Sequence, residues 1–299
     1  MAGSLDPAVL DQLSGLALVA RTVVDGYMAG QHRSPLRGNS AEFAQHREYV
    51  PGDELRRIDW KVFGRSDRLV IKQYDEETSL DCHLLVDGSE SMAFGSQAWS
   101  KFDYARWCAA ALAHLVIHAR DTAGLVLFDE AERKKVPPKN GLDQEHDILA
   151  ALEGYTPTGK THIGDVLFWL GGRLRRKGIV AIFSDFFDDP DKVIEGLRRL
   201  SYAGHEPIVF QIVDPLEISF DIDHLVRLDG LEASGVQKVD PKSLRSAYIE
   251  EFQAHQRTLA TRTRQLGLDC IQLSTAQDLG AVLSTYLSHR SARSRGGRR

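Results

Sequence analysis

Cysteine is scarce in this 299-residue sequence, and the three present, Cys82, Cys108 and Cys270, stand far apart in apolar-periodic segments. No C-x-x-C pair occurs, so there is no zinc-thiolate or thioredoxin-type redox signature, and the cysteines read as reduced core residues. Long apolar runs are missing too. The nearest N-terminal candidate, Leu16-Ala17-Leu18-Val19-Ala20, is cut short by Arg21 and has no basic n-region before it, so neither a signal-type core nor a bilayer span is expected and the protein is read as cytoplasmic. Nor is there an excess of basic charge. A net charge of −5 argues against a nucleic-acid binder that works by bulk electrostatics. The basic residues cluster only at the C-terminus, where Arg290, Arg293, Arg295, Arg298 and Arg299 lie among Ser and Gly. Residues 290–299 therefore read as a solvated, disordered tail.

At 42% hydrophobic and 26% charged, the rest of the chain has ample material for the core of one or two domains. Val9, Leu10, Leu13, Leu16, Ala17, Val19, Ala20, Val23 and Val24 predict an amphipathic helix over about 6–28. Leu69 to Tyr74 reads as a strand that could pair as a hairpin with the apolar run at 82–86. Beyond residue 91 the elements alternate. Helices are expected near 101–120, 143–153, 164–176 and 190–203, and strands near 124–128, 132–136, 179–184 and 207–213. A hairpin (225–228 with 236–239), a long helix (241–265), a last strand (270–273) and a closing helix (276–288) follow. Strands alternating with helices imply an α/β, doubly wound, mostly parallel sheet of Rossmann-like type, carrying an N-terminal helix and an extension. The expected division is 1–78 for helix and extension, packed on a main domain at 79–289, with 290–299 as the tail.

The chain is organised around Cys82-His83-Leu84-Leu85-Val86-Asp87-Gly88-Ser89-Glu90-Ser91-Met92. An apolar run stops there at a turn, as a buried strand stops at a ligand site. Asp87, Ser89 and Ser91 form D-x-S-x-S, one carboxylate and two hydroxyls able to converge on a hard cation such as magnesium. Alone the motif is weak, since Asp, Gly and Ser serve any strand-to-helix turn. Two further clusters strengthen it: Thr161 in a loop that opens a helix, and Asp185 at the end of Val180-Ala181-Ile182-Phe183-Ser184. In an open parallel sheet, ligands bind at the carboxyl ends of the strands near the point where strand order reverses, which is where these residues are expected.

Upstream lies a polar and aromatic passage, Glu42 to Lys61, with no regular period. Arg47, Tyr49, Asp53, Arg56, Asp59 and Trp60 stand in it around the turn Pro51-Gly52-Asp53. A structural knot of Arg–carboxylate pairs and stacking is at least as good a reading of it as a binding surface.

Asp87-Gly88-Ser89-Glu90-Ser91, Thr161 and Asp185 resemble the metal-ion-dependent adhesion site of von Willebrand factor A domains. The passage Glu42-Phe43, Arg47, Tyr49-Val50-Pro51-Gly52-Asp53, Arg56, Ile58-Asp59-Trp60 resembles the signature of the bacterial family called domain of unknown function 58. The resemblance covers about residues 16–214 and implies a von Willebrand A-like domain behind the signature. It further implies Asp87, Ser89, Ser91, Thr161 and Asp185 as residues holding Mg2+, with Mn2+ or Ca2+ as substitutes. A partner's acidic residue would complete the shell, and a MoxR-type AAA+ ATPase or its client is the implied partner. This makes the chain a non-enzymatic adaptor in expectation.

The competing reading is a magnesium-dependent phosphoester hydrolase. Against it, a two-aspartate phosphohydrolase needs an acid two positions after its nucleophile, and Ser89 stands there. Gly159-Lys160-Thr161 comes close to a P-loop but follows no buried strand. A third possibility is a scaffold that makes its contacts through the 47–60 passage. His114 and His118 fall one helical turn apart with no third zinc ligand apparent in the sequence, so they read as a partly buried helix face. Asp188-Asp189-Pro190-Asp191 is expected to cap the next helix, and Trp99, Trp107 and Trp169 to pack.

Overall fold

The computed structural model describes residues 7–10, 15–30, 43–50, 53, 58–74, 80–221, 226–229, 236–239, 241–280 and 282–288. The chain divides into two compact units, one formed by Met1–His32 with Leu80–Arg299 and the other by Arg33–Ser79.

The single N-terminal helix expected over 6–28 is two. α1 (Pro7–Leu10) and α2 (Leu16–Gly30) are separated at Gly15, which adopts φ +91°. A left-handed backbone cannot continue an α-helix, and glycine takes it without steric cost. α2 starts afresh because its first amide, on Leu16, donates to Glu153 Oε1 at 2.7 Å, a remote carboxylate doing the work of a local N-cap.

In the smaller unit, β1 (Phe43–Glu48) and β2 (Val70–Tyr74) pair antiparallel, with Glu48 opposite Val70 and Arg47 opposite Ile71. This corrects the expectation that the 69–74 strand forms a hairpin with 82–86. Between the two strands, Ile58 bridges to Ile71 and α3 (Trp60–Ser66) follows. The Asp59 carboxylate accepts from the Lys61 and Val62 amides at 3.0 and 3.3 Å and so caps that helix.

In the larger unit, β3 (Asp81–Asp87), α4 (Lys101–His118), β4 (Thr122–Phe128), β5 (Glu132–Lys139), α5 (Leu142–Glu153), α6 (Ile163–Leu170), β6 (Gly178–Ser184), α7 (Pro190–Tyr202) and β7 (Glu206–Val213) follow in order. They lead into α8 (Pro215–Ser219), the hairpin β8 (Val226–Asp229) and β9 (Val236–Val239), α9 (Pro241–Gln265), β10 (Asp269–Ser274) and α10 (residues 282–288). The sheet order is β10-β7-β6-β3-β4-β5, parallel except for the antiparallel edge strand β5. The architecture is thus α/β with a mostly parallel six-stranded sheet, as the alternation of periods predicts. β3, β6 and β7 are buried almost without interruption, which is why they read as continuous apolar runs.

Successive side chains alternate between two cores. Cys82, Leu84, Val86, Ala181, Phe183 and Phe210 pack with α2, α4 and α5. Leu85, Val126, Val180, Ile182 and Val209 pack with α6 and α7. From β3 the chain moves to β4 on one side, then returns to build β6, β7 and β10 on the other. The strand order therefore reverses between β3 and β6, and a crevice is expected beyond their carboxyl ends.

Candidate metal centre

The residues proposed from sequence for a metal lie at the carboxyl ends of β3 and β6 and in the loops beside them. Asp87, the last residue of β3, is fully buried, as are Ser89 and Asp185, while Thr161 is 6% exposed. Ser91 is partly buried. The loop after β3 is held by backbone pairing on both sides. Gly88 N–H donates to the Phe128 carbonyl at 2.7 Å, Thr158 N–H to the Gly88 carbonyl at 2.9 Å, and Glu90 N–H to the Gly159 carbonyl at 2.9 Å. At Gly88 the Tyr155 ring packs directly on the backbone, and a Cβ there would lie 2.2 Å from it and displace the ring. Gly159 adopts φ +76°, and the turn it makes brings Thr161 to Asp87.

The Asp87 carboxylate is the hub. Its Oδ1 accepts from the Ser89 amide at 2.9 Å, the Thr161 hydroxyl lies 3.1 and 3.0 Å from Oδ1 and Oδ2, and the Ser184 hydroxyl donates to Oδ2 at 2.5 Å. Ser89 Oγ and Ser91 Oγ are 3.1 Å apart, a hydroxyl pair beside it. Burial, and then the neighbouring charge of Asp185, push the Asp87 carboxyl up to about 6, although the hydrogen bonds from Ser184 and Ser89 pull the other way.

Asp185 sits one residue beyond β6. Its Oδ1 accepts from the Phe187 amide at 3.2 Å and its Oδ2 from Lys101 Nζ at 2.8 Å. Phe186 takes φ +58°, an uncommon backbone for a bulky residue and a local strain of the kind found where a chain is held at a site. Lys101, only 1% exposed, also donates to Glu217 Oε1 at 2.6 Å. Burial alone would depress this ammonium, but Asp185 and Glu217 outweigh it and hold Lys101 firmly protonated. Burial raises the Glu217 carboxyl, which Lys101 opposes. The other Glu217 oxygen accepts from the Asp214 amide at 2.8 Å, closing a capping box on α8.

The donor set suits a hard divalent cation. Its atoms are all oxygen, from Asp87, Asp185, Ser89, Ser91 and Thr161, and imidazole or thiol is not among them. Charge gives a second test. Asp185 and Glu217 pair with the ammonium of Lys101, whereas the fully buried Asp87 carboxylate is met by hydroxyls, an amide and the like charge of Asp185. Such an excess of buried negative charge is what a divalent cation would offset.

Ser184, Lys101 and Glu217 were not singled out from the sequence. Ser184 and Glu217 look like ordinary strand-end and first-turn residues, and Lys101 like a solvent-facing residue next to the Ser100 cap. In the passage at 47–60, Asp59 caps α3, and Asp53 Oδ2 accepts from the Val50 amide at 2.9 Å. Tyr49 N–H pairs with the Leu69 carbonyl at 2.9 Å, and Trp60 is 61% exposed. Arg47 lies in β1, while Arg56 and the tail at 290–299 fall outside the described residues. Asp189 caps α7, its side chain accepting from the Asp191 amide with Pro190 at the first helical position, and Asp188 reaches across to accept from the Gly164 amide at 3.0 Å. Among the described residues, no helix is long and apolar enough to cross a membrane.

Over 292 residues the chain is 28% identical to an uncharacterized protein of Mycobacterium tuberculosis and, equally, to one of Mycobacterium bovis, covering 95% of this chain and 90% of each relative. Among solved structures it is similar to the conserved hypothetical protein BatB of Bacteroides thetaiotaomicron, at 14% identity and TM-score 0.49, over 71% of this chain and 99% of that one. It is also similar to the SpRpn10 VWA domain, at 13% identity and TM-score 0.43, over 70% and 95%. Residues 45–258 match the family described as Protein of unknown function DUF58, and with well over half of its length inside that match the chain belongs to this family.

Proposed function

We propose that this chain is a non-enzymatic, protein-binding adaptor of the von Willebrand A type. Asp87, Ser89, Ser91, Thr161 and Asp185 hold Mg2+, for which Mn2+ or Ca2+ substitute, and an acidic residue of a partner protein completes the shell. The observation that carries this reading is the fully buried Asp87 carboxylate at the end of β3, met by hydroxyls, an amide and the like charge of Asp185, while Lys101 pairs with Asp185 and Glu217. Bound there, the cation supplies an electrophilic point that a partner carboxylate can reach.

The chain's own groups divide the work. Asp87 anchors the Thr161 and Ser184 hydroxyls and the Ser89 amide. The adjacent Ser89 and Ser91 hydroxyls offer lone pairs to the ion. Asp185, committed to Lys101 and the Phe187 amide, contributes its field or a water-bridged contact. A binding role suits these contacts better than phosphoester hydrolysis. Asp87 is buried with both oxygens accepting hydrogen bonds, which leaves a poor nucleophile, and Ser89 stands where a general acid would be needed. A MoxR-type AAA+ ATPase, or a client of one, is the partner class proposed.

The test measures Mg2+ binding by calorimetry and capture of a MoxR-type ATPase, with and without EDTA, for the wild type, Ser91→Ala and Asp87→Asn. Both substitutions are expected to weaken Mg2+ binding and, with EDTA, to abolish capture. Capture indifferent to EDTA and to both variants would sink the metal-bridged reading. Turnover of p-nitrophenyl phosphate that vanished in Asp87→Asn would favour the hydrolase.

A further inference from the structure

The end of α4 remote from Lys101 carries a second cluster of ligand-type side chains, and its chemistry differs from that of the first. His114 and His118 lie one helical turn apart, with ring centroids separated by 3.9 Å. The sequence offers them no third ligand. The fold does, because α5 packs on α4 and presents Glu145 to both rings. His114 Nδ1 is 2.8 Å from Glu145 Oε1, and His118 Nδ1 is 3.8 Å from Glu145 Oε2. One ligand atom from each of the three residues lies within 4.8 Å of the others.

We infer that His114, His118 and Glu145 form a binding site for a zinc-class divalent ion, with three protein ligands and a fourth position open to water or to a partner's side chain. The set is two imidazoles and one carboxylate, which suits Zn2+, Co2+, Ni2+ or Cu2+ and is poorly matched to Mg2+. Ligand atoms about 2.1 Å from a tetrahedral zinc sit about 3.4 Å from one another, so the three need close by no more than about 1.5 Å. Small side-chain rotations supply that, since the backbones belong to two packed helices. His118 Nδ1 already lies 2.9 Å from the His114 carbonyl. With the proton on Nδ1 this bond orients the ring and leaves the other nitrogen its lone pair, which is how metal-binding histidines are commonly held.

Exposure is graded in the right sense for an ion to enter from one side. The His114 and Glu145 side chains are 14% and 12% exposed, whereas His118 is 50% exposed. The site is also separate from the oxygen-lined one. Thirteen residues along α4 from Lys101 to His114, at 1.5 Å rise each, place the two about 20 Å apart. A hydrogen-bonded interhelical clamp would account for the 2.8 Å contact of His114 with Glu145. It does not by itself bring the second imidazole, His118, to within 3.8 Å of the same carboxylate.

Zn2+ is titrated calorimetrically into the EDTA-treated, dialysed full chain, and the visible spectrum of the Co2+ form is recorded alongside. The wild type is expected to bind one equivalent and to show the d–d bands of a tetrahedral or five-coordinate site. His118→Ala and Glu145→Gln, the first at a half-exposed position and the second nearly isosteric, should each weaken that equivalent at least about 10–100-fold, the loss that even outer-shell partners produce. Ser91→Ala should leave it unchanged. The inference is overturned if the wild type binds no equivalent and gives no such bands, if both α4–α5 variants bind as the wild type does, or if Ser91→Ala abolishes binding. Circular dichroism melting of each variant separates loss of ligand from loss of fold.

Discussion

Individual side chains in β3 answer to surroundings that their own period does not describe. His83 is 5% exposed, and its Nε2 has no hydrogen-bond partner. It meets His205 edge-on at 6.0 Å. Burial, and then the charge of His205, push the His83 imidazole down to about 4. Between pH 6.5 and 4 the unfolded chain therefore holds a proton at this position that the folded chain lacks, and stability rises with pH across that window. Acidification from pH 7.5 to 4.5 should cost the wild type about 2–3 kcal/mol through this residue. His83→Leu, compared by urea denaturation at both pH values, should lose that much less than the wild type. Equal losses would show that His83 carries no such penalty. Asp87 has the opposite sign, since a carboxyl held near 6 favours the folded state as pH falls, which is why the comparison is made against the single variant.

At the scale of elements, α4 concentrates the tension of the fold. The Ser100–Asp103 capping box makes its start legible, with the Ser100 hydroxyl accepting from the Asp103 amide at 3.1 Å. Its burial does not follow from its pattern. Lys101 and almost every residue through Ile117 are buried, because the sheet covers one side and α2 the other. A lysine in the first turn of such a helix survives only by pairing with carboxylates that arrive from β6 and α8. Lys101→Met removes the pair's cation and leaves Asp185 and Glu217 buried together, so the variant should lose about 3–5 kcal/mol in urea denaturation. Adding Asp185→Asn and Glu217→Gln to it should recover most of the loss. A near-neutral Lys101→Met would mean that water reaches these carboxylates and that the ion group is weaker than its burial indicates.

On the scale of the whole molecule, the larger unit stacks a sheet between two helical layers and adds α2 outside one of them. α2 contributes Leu16, Val19, Ala20, Val23 and Val24 to the same core as α4, so this helix is structural. Val23, fully buried, is the position that tests this. Val23→Ala should destabilise the protein by about 2 kcal/mol, combining lost transfer energy with a small cavity. A thermal melt unchanged from wild type would show that α2 merely lies on the surface. The topology also explains why the oxygen-lined site falls where it does. Reversal of strand order between β3 and β6 splays the connections apart, and the side chains at the two strand ends fill the gap.

Sequence by itself determined the order and kind of most elements of the larger unit, because apolar period two or three to four is a property of consecutive residues; β1, α3 and α8, and the break at Gly15, escaped it. It also carried the family resemblance, and it pointed to D-x-S-x-S, Thr161 and Asp185 as candidates because each sits at an element boundary that the period marks. It could not determine partners. The pairing of β2 with β1, the capping of α2 by Glu153, the joining of Lys101 to Asp185 and Glu217 across 84 and 116 residues, and the approach of Glu145 to His114 across 31 were decided by tertiary structure. The physical reason is common to all four. A local pattern reports which face a residue presents, whereas the free energy of a buried charge or an uncapped amide depends on which distant chain the packing of the sheet and helices carries to it.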